Sequence, residues 1–344
     1  MIKLKLDKLL NIQYMKRNVG LLLVCIALLS FQKEGLGQQM SLHNQFLMNE
    51  YLINPAVAGY DGYTKLNLSA REQWVGIAQS PKTHSVSFQT RLLNSSYIDR
   101  KKSVDKNSQS KSQLSRVGLG ALFIDDRTGP IARTGVQFTY AYHIPLKESQ
   151  LSFGVSAEGY QFSLRQQDIS LYDEDDPYFL SYDFGTFIPD ASFGAYYLAS
   201  NYNFGFSMYN LFQSGLKIGN KGNNDYRALR HYYLNGGYQQ DISRNFFLYG
   251  YALLKATNSF NSIQADLSVT GFIFENYWVG LSYRTVNTII IKAGFKIDSF
   301  YLGYAFDYGF NSISTYTSGS HELSLAFKFG NKARRYKWIN HDMY

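Results

Sequence analysis

The densest group of reactive side chains is Asp173, Glu174, Asp175 and Asp176 in "LYDEDDPYF". Clustered carboxylates suit a hard cation such as calcium. This stretch has neither a glycine-centred loop nor a later Glu in register, and it reads as a solvated acidic loop. The histidines His43, His84, His143, His231, His321 and His341 show no metal-ligand spacing. No serine stands in a Gly-x-Ser-x-Gly elbow, and the Ser–His pair that an outer-membrane acyl hydrolase would need is not evident. The glycine runs "GLGQQ" and "NGGYQQ" lack a following helix, so no phosphate cradle is expected. Asp125-Asp126-Arg127 before "TGP" reads as a tight turn with a local ion pair. The chain is therefore expected not to be an enzyme and to carry no metal or cofactor.

A second group is spaced around two alternating runs, 63–71 and 83–91. It comprises Asn54, Pro55, Gly59, Arg71, Gln73, Trp74 and Pro81. Asn54-Pro55 breaks any helix and starts a turn, so Phe46 to Ile53 is expected to form a short plug or a periplasmic cap. Arg71 ends the first run with its guanidinium available to a lumenal carboxylate. Trp74 offers a rigid amphipathic anchor just beyond it. Two readings stand side by side: these residues fix the first hairpin and an aromatic belt, or they dock a partner.

The elements that position them follow a period of two. In 262–273, Ile263, Ala265, Leu267, Val269 and Ile273 oppose Gln264, Asp266, Ser268 and Thr270. In 289–298, Ile289, Ile291, Ala293, Phe295 and Ile297 oppose Ile290, Lys292, Gly294 and Lys296. In 321–330, Leu323, Leu325, Phe327 and Phe329 oppose Glu322, Ser324, Ala326 and Lys328. One face suits lipid and the other a wet or plugged lumen. The pattern predicts strands at 63–71, 83–91, 115–124, 132–144, 150–161, 190–200, 202–210, 231–241, 246–256, 262–273, 276–285, 289–298, 300–308 and 320–330. Most match a bilayer crossing of roughly 9–11 residues, longer than sandwich strands of about 5–6. The expected fold is an all-β transmembrane antiparallel barrel of about 14 strands, with periplasmic N- and C-terminal segments.

Turn lengths set the orientation. The connections 145–149, 200–201, 242–245, 274–275 and 299 are short, whereas 162–189, 211–230 and 309–319 are long. Short turns inside and long loops outside is the asymmetry of outer-membrane barrels. The polar stretch 92–114 breaks the rule and is read as a periplasmic arm. Tyr196-Tyr197, Tyr232-Tyr233 and Phe246-Phe247 near strand ends read as a membrane-interface girdle, with a carbohydrate-stacking surface as the other reading.

Composition and the leader agree with export. Lys16-Arg17 precede an apolar run from Val19 to Leu29, and Gly35-Leu36-Gly37 supplies small residues for cleavage. Residues 1–37 therefore read as a signal peptide, the run being too short to span. Cys25 follows Val24 where lipidation needs a small residue, so it reads as part of the apolar run. No cysteine follows it, which excludes disulfides and thiolate metal sites. The net charge of +8 resides in the leader and in Lys332, Arg334, Arg335 and Lys337, leaving a near-neutral body with little for nucleic acid. The expected organisation is a leader at 1–37, a periplasmic or plug segment at 38–62, a barrel at 63–330 and a basic periplasmic tail at 331–344.

"NQFLMNEYLINPAVAGYDGY" followed by "REQWVGIAQSPKTHSVSFQT" resembles the N-terminal signature of the PorP/SprF family. The matched positions are Asn54, Pro55, Ala56, Ala58 and Gly59, then Arg71, Gln73 and Trp74, then Pro81 and Thr83. Val57 stands where an aromatic residue is frequent. Similarity continues through "YAYHIPL", "LSFGVSAEGYQF", "PDASFGAYY", "HYYLNGGY", "VGLSYR" and "HELSLAF". The resemblance implies an outer-membrane component of the type IX secretion system. Its partners would be other periplasmic and outer-membrane components of that system and an exported cargo or adhesin, including those of gliding motility. The arm 92–114, the tail 331–344 and the loops 162–189 and 211–230 are the expected contacts. A passive channel for small solutes is the alternative, and a secreted β-sandwich adhesin a weaker third.

Overall fold

A computed structural model describes residues 43–93, 114–164, 186–216, 226–258 and 262–330. The leader, most of the 92–114 arm, the acidic group at 173–176 and the tail 331–344 lie outside the described residues. Seven strands occupy the first part: β1 (Thr64–Glu72), β2 (Lys82–Leu93), β3 (Leu114–Thr128), β4 (Ile131–Pro145), β5 (Ser149–Leu164), β6 (Thr186–Ala199) and β7 (Tyr202–Tyr209). A two-stranded ribbon, β8 (Gly215–Leu216) and β9 (Tyr226–Arg227), stands apart from the main sheet. Then come β10 (His231–Ser243), β11 (Phe246–Thr257), β12 (Ile263–Ile273), β13 (Tyr277–Arg284), β14 (Thr288–Ile297), β15 (Phe300–Gly309) and β16 (Ser320–Phe329). The fourteen long strands form one closed antiparallel barrel in which β7 pairs directly with β10. Closure is between β1 and β16, in a register running from Thr64 opposite Phe329 to Glu72 opposite His321. All fourteen predicted strands form, and no edge of the sheet is left open, the condition a bilayer imposes.

Alternation puts polar residues inside. On β12, Gln264, Asp266, Ser268 and Thr270 are buried, while Ile263 and Val269 are exposed outward. On β16, Glu322, Ser324, Ala326 and Lys328 point in, and Leu323 and Phe329 point out. A cylinder with large apolar side chains on its outer wall requires an apolar solvent there. Strands β3 to β6 exceed the expected lengths, with 15, 15, 16 and 14 residues, and so continue past a bilayer crossing.

The turns after β4, β6, β10, β12 and β14 are short and share one end of the barrel. At that turn end, Phe274 and Glu275 both adopt left-handed backbone (φ 53° and 58°), the geometry a tight hairpin matching strand twist requires. The opposite, loop end is not uniformly long: β3–β4 and β13–β14 are also joined by short turns.

The lumen is filled. Residues 43–62 are almost all buried and hydrogen-bond to β2, β4, β6, β7, β13 and β16, positions spread around the barrel. The segment therefore runs inside the cylinder rather than below it. In one cluster with its Phe46, Leu47, Met48 and Ile53, Phe247 and Phe272 stack with centroids 4.6 Å apart, and Trp278 and Tyr301 extend the stack. This corrects the girdle reading. Tyr196, Tyr233 and Phe247 are buried in the lumen, and within each aromatic pair only the other member can face outward, because successive strand residues point to opposite faces.

Candidate functional site: the lumenal segment and its charged wall

The segment starts in the loop-end half of the lumen and descends to the turn end. Near its start, the Glu322 carboxylate accepts hydrogen bonds from the backbone N–H groups of Asn44 (2.6 Å) and Gln45 (3.1 Å). Gln45 Nε2 donates to the Glu322 carbonyl oxygen at 3.3 Å, and Arg284 donates to the His43 carbonyl oxygen. Farther down, Asn49 donates to Ser87, Tyr51 bonds Thr139 at 2.6 Å, and the Tyr196 hydroxyl donates to Glu50 at 2.7 Å. Burial pushes the Glu50 carboxyl up to about 7, against the opposing pull of the Tyr196 hydrogen bond.

The Asn-Pro step acts locally, as its chemistry suggests. The Asn54 side chain accepts from the Ala56 N–H at 2.9 Å and caps the single turn Pro55–Val57, in which Pro opens the helix. Its amide donates to the carbonyls of Ala195 (3.0 Å) and Phe206 (3.3 Å), tying the turn to β6 and β7. Gly59 has φ 69°, and a Cβ there would sit 2.6 Å from the Thr90 carbonyl oxygen, so only glycine fits. Below it the Tyr60 carbonyl accepts from Arg91 and Gln150. Asp61 pairs with Lys65 at 2.7 Å and Lys328 at 3.6 Å. Burial alone would raise the Asp61 carboxyl, but the two lysines outweigh it and hold it low.

The wall is shaped for a chain. At Gly118, Gly154 and Gly194 an added Cβ would collide with Ala58, with Pro55 and Ala56, and with Asn54 respectively. At Gly303 it would strike Gln45 and Met48. Wall side chains read the segment largely through its main chain, at the N–H of 44, 45 and 59 and the C=O of 43, 52, 53, 58 and 60.

Arg71 faces the lumen and meets Asp307 at 2.9 Å and Glu322 at 3.6 Å. It belongs to a buried cluster the sequence did not reveal. Arg284 grips Asp266 with two bonds of 2.9 and 3.0 Å, Lys255 stands 3.6 Å from the same carboxylate, and Lys292 donates to Ser268 at 2.9 Å. Buried charges survive only when paired in this way. The signal was present as inward-phase charges on separate strands, but pairing them needs the register of a closed barrel. Gln73, Trp74 and Pro81 lie elsewhere, in the β1–β2 loop at the loop end. The Gln73 N–H donates to the Pro81 carbonyl. Trp74 is left-handed (φ 54°), and its N–H donates to Ser320 at 3.2 Å. Val75 exchanges backbone bonds with Ser318 and Gly319. The predicted site residues therefore separate into a lumenal group (Asn54, Pro55, Gly59, Arg71) and a loop group.

A Ser–His pair does exist: His143 Nδ1 lies 2.8 Å from Ser152 Oγ. Both residues are fully buried, and the other ring nitrogen is engaged by the Ala58 carbonyl at 3.0 Å. The pair anchors the segment and is not accessible to a substrate. Toward the loop end, a recess is lined by His43, Phe46, Arg133, Tyr160, Tyr209 and Lys255, among others.

The chain matches, over residues 35–327, the family model described as "Type IX secretion system membrane protein PorP/SprF". No curated protein matches it. Among solved structures it is similar to the toluene transporter TbuX of Ralstonia pickettii, at 10% identity and TM-score 0.42, covering 85% of this chain and 95% of that one. The CymD monoaromatic hydrocarbon channel gives 11% identity and TM-score 0.44, covering 87% and 96%. The Pseudomonas putida toluene transporter TodX gives 9% and 0.41, covering 87% and 98%. These likenesses are too distant to carry an argument about function.

Proposed function

Because this chain belongs to the PorP/SprF family of type IX secretion system membrane proteins, we propose that it is a non-enzymatic outer-membrane component of that machine. In this reading it works by docking partner proteins for secretion or surface attachment, gliding-motility adhesins among them, after removal of its leader. The observation that carries the reading is the filled lumen: with residues 43–62 inside the barrel, the surfaces left for work are the two ends. At the loop end, the loops between β5 and β6 and between β7 and β10 meet the exported partner or a companion subunit, beside the braced Trp74 loop. At the turn end, the 92–114 arm and the basic 331–344 tail meet periplasmic components.

Deleting 331–344 is expected to spare insertion and weaken capture of periplasmic type IX components from native membranes. Unchanged capture would remove the tail from the scheme. Deleting the whole chain is expected to leave an exported partner unsecreted or unattached, and normal export and attachment would end the docking reading. The passive-channel alternative predicts a steady open-pore current from the purified protein, which a filled lumen does not favour.

A further inference from the structure

The lumenal segment is bonded to the wall along its whole length, but its unpaired polar atoms are confined to one half. In its second half Asn54, Ala58, Tyr60 and Asp61 all have wall partners. In its first half, His43 Nδ1, both amide atoms of Asn44 and Asn49 Oδ1 are buried without a hydrogen-bond partner among the described residues. Such atoms are better satisfied in water than where they sit. Besides the bonds of this half to Ser87, Thr139, Tyr196 and Ser207, its start is fastened by one carboxylate, Glu322, which takes two successive backbone N–H groups. The wall does not depend on the segment for closure, since β1 and β16 pair directly over nine residues. Against the first half lies the recess, with His43, Phe46, Leu52 and Ile53 in its lining.

The geometry points to residues 43–53 as an arm that unlatches from Glu322 and opens an ion-conducting passage through a barrel that is closed at rest. Asn54, bolted to β6 and β7, is where the moving part ends. The uncovered passage runs past Arg71, Lys255, Arg284 and Lys292 and the carboxylates Asp266, Asp307 and Glu322. Four cations against three anions in this cluster favour passage of small anions. The inference concerns the lumen and is independent of which partners dock at the ends.

The test is single-channel recording of the purified full-length protein in planar bilayers under a KCl gradient. The wild type is expected to show rare openings with a reversal potential displaced toward chloride. Glu322→Gln keeps the side-chain size and weakens the latch, and it should raise open probability about tenfold, the effect of trading a charged acceptor for a neutral one. The Asn49 and Ser87 side chains touch, Nδ2 to Oγ 2.8 Å, and an oxidised Asn49→Cys/Ser87→Cys pair is expected to abolish openings and release them again on reduction. No openings in wild type or Glu322→Gln, or openings that survive the disulfide, would each overturn the proposal. Should Glu322→Gln fail to fold, which a heat-shift gel reads directly, the disulfide comparison still decides. A cation-displaced reversal potential would overturn the selectivity.

Discussion

At the scale of single residues, buried polar groups do most to fix the lumenal segment, and each has a distinct expected signature. Asn54 satisfies the Ala56 N–H and the carbonyls of Ala195 and Phe206 from a fully buried position. Asn54→Ala takes the partner from the Ala56 N–H and removes the ties to the two strand carbonyls, at about 1–3 kcal/mol for a buried group left unpaired. A lower urea midpoint in detergent, with the barrel still formed, is the expected result. Glu50 gives a pH signature. Its carboxyl is raised from 4.5 to about 7 by burial, so the folded segment prefers the protonated form. The stability it contributes is complete below about pH 4.5 and is lost as pH rises through about 7, on the order of 3 kcal/mol for the whole shift. Protease protection of residues 43–62 should therefore weaken from pH 5 to pH 8, and Glu50→Gln should flatten that dependence. A wild type whose protection is constant across this range would refute the assignment.

At the scale of elements, the alternating strand is what makes a wall that can be greasy outside and chemically specific inside. Glycine at 118, 154 and 194 falls on the inward phase; the first two lie against the segment's backbone and Gly194 against the Asn54 and Pro55 side chains. Gly154→Val is expected to leave strand pairing intact, since its outward neighbours Phe153 and Val155 are unchanged, while expelling the 54–58 turn. The barrel would still migrate as a folded band, and residues 43–62 would become cleavable. The strand pattern was legible from the sequence, as were the Asn-Pro turn and Arg71's need for a carboxylate. The identity of that carboxylate was not: Asp307 and Glu322 are more than two hundred residues away along the chain. The Tyr and Phe pairs were legible as strand-end aromatics but not by side, because two adjacent aromatics satisfy either phase of a period of two.

At the scale of the whole molecule, the outer wall and the lumen are different solvents. Leu281 on β13 is 58% exposed on the outer face, while its neighbour Ser282 is buried and bonded to Ser268. Leu281→Arg is expected to cost about 2–4 kcal/mol of folding into bilayers if it lies near the midplane. Urea titration of vesicle-inserted protein measures this, and a cost near zero would mean that this face does not meet lipid.

The sequence by itself determined that the chain makes fourteen long alternating strands, that its parity of charge and grease suits a barrel, and that its N-terminal motif belongs with the PorP/SprF family. Local rules suffice for these, because side-chain alternation and turn chemistry are properties of neighbouring residues. Only the tertiary structure decided that residues 43–62 fill the lumen, that Arg71 and Trp74 serve different places, and which charges pair. Those facts depend on the register of a closed sheet, in which residues from opposite ends of the chain become neighbours, and no short-range pattern records that register.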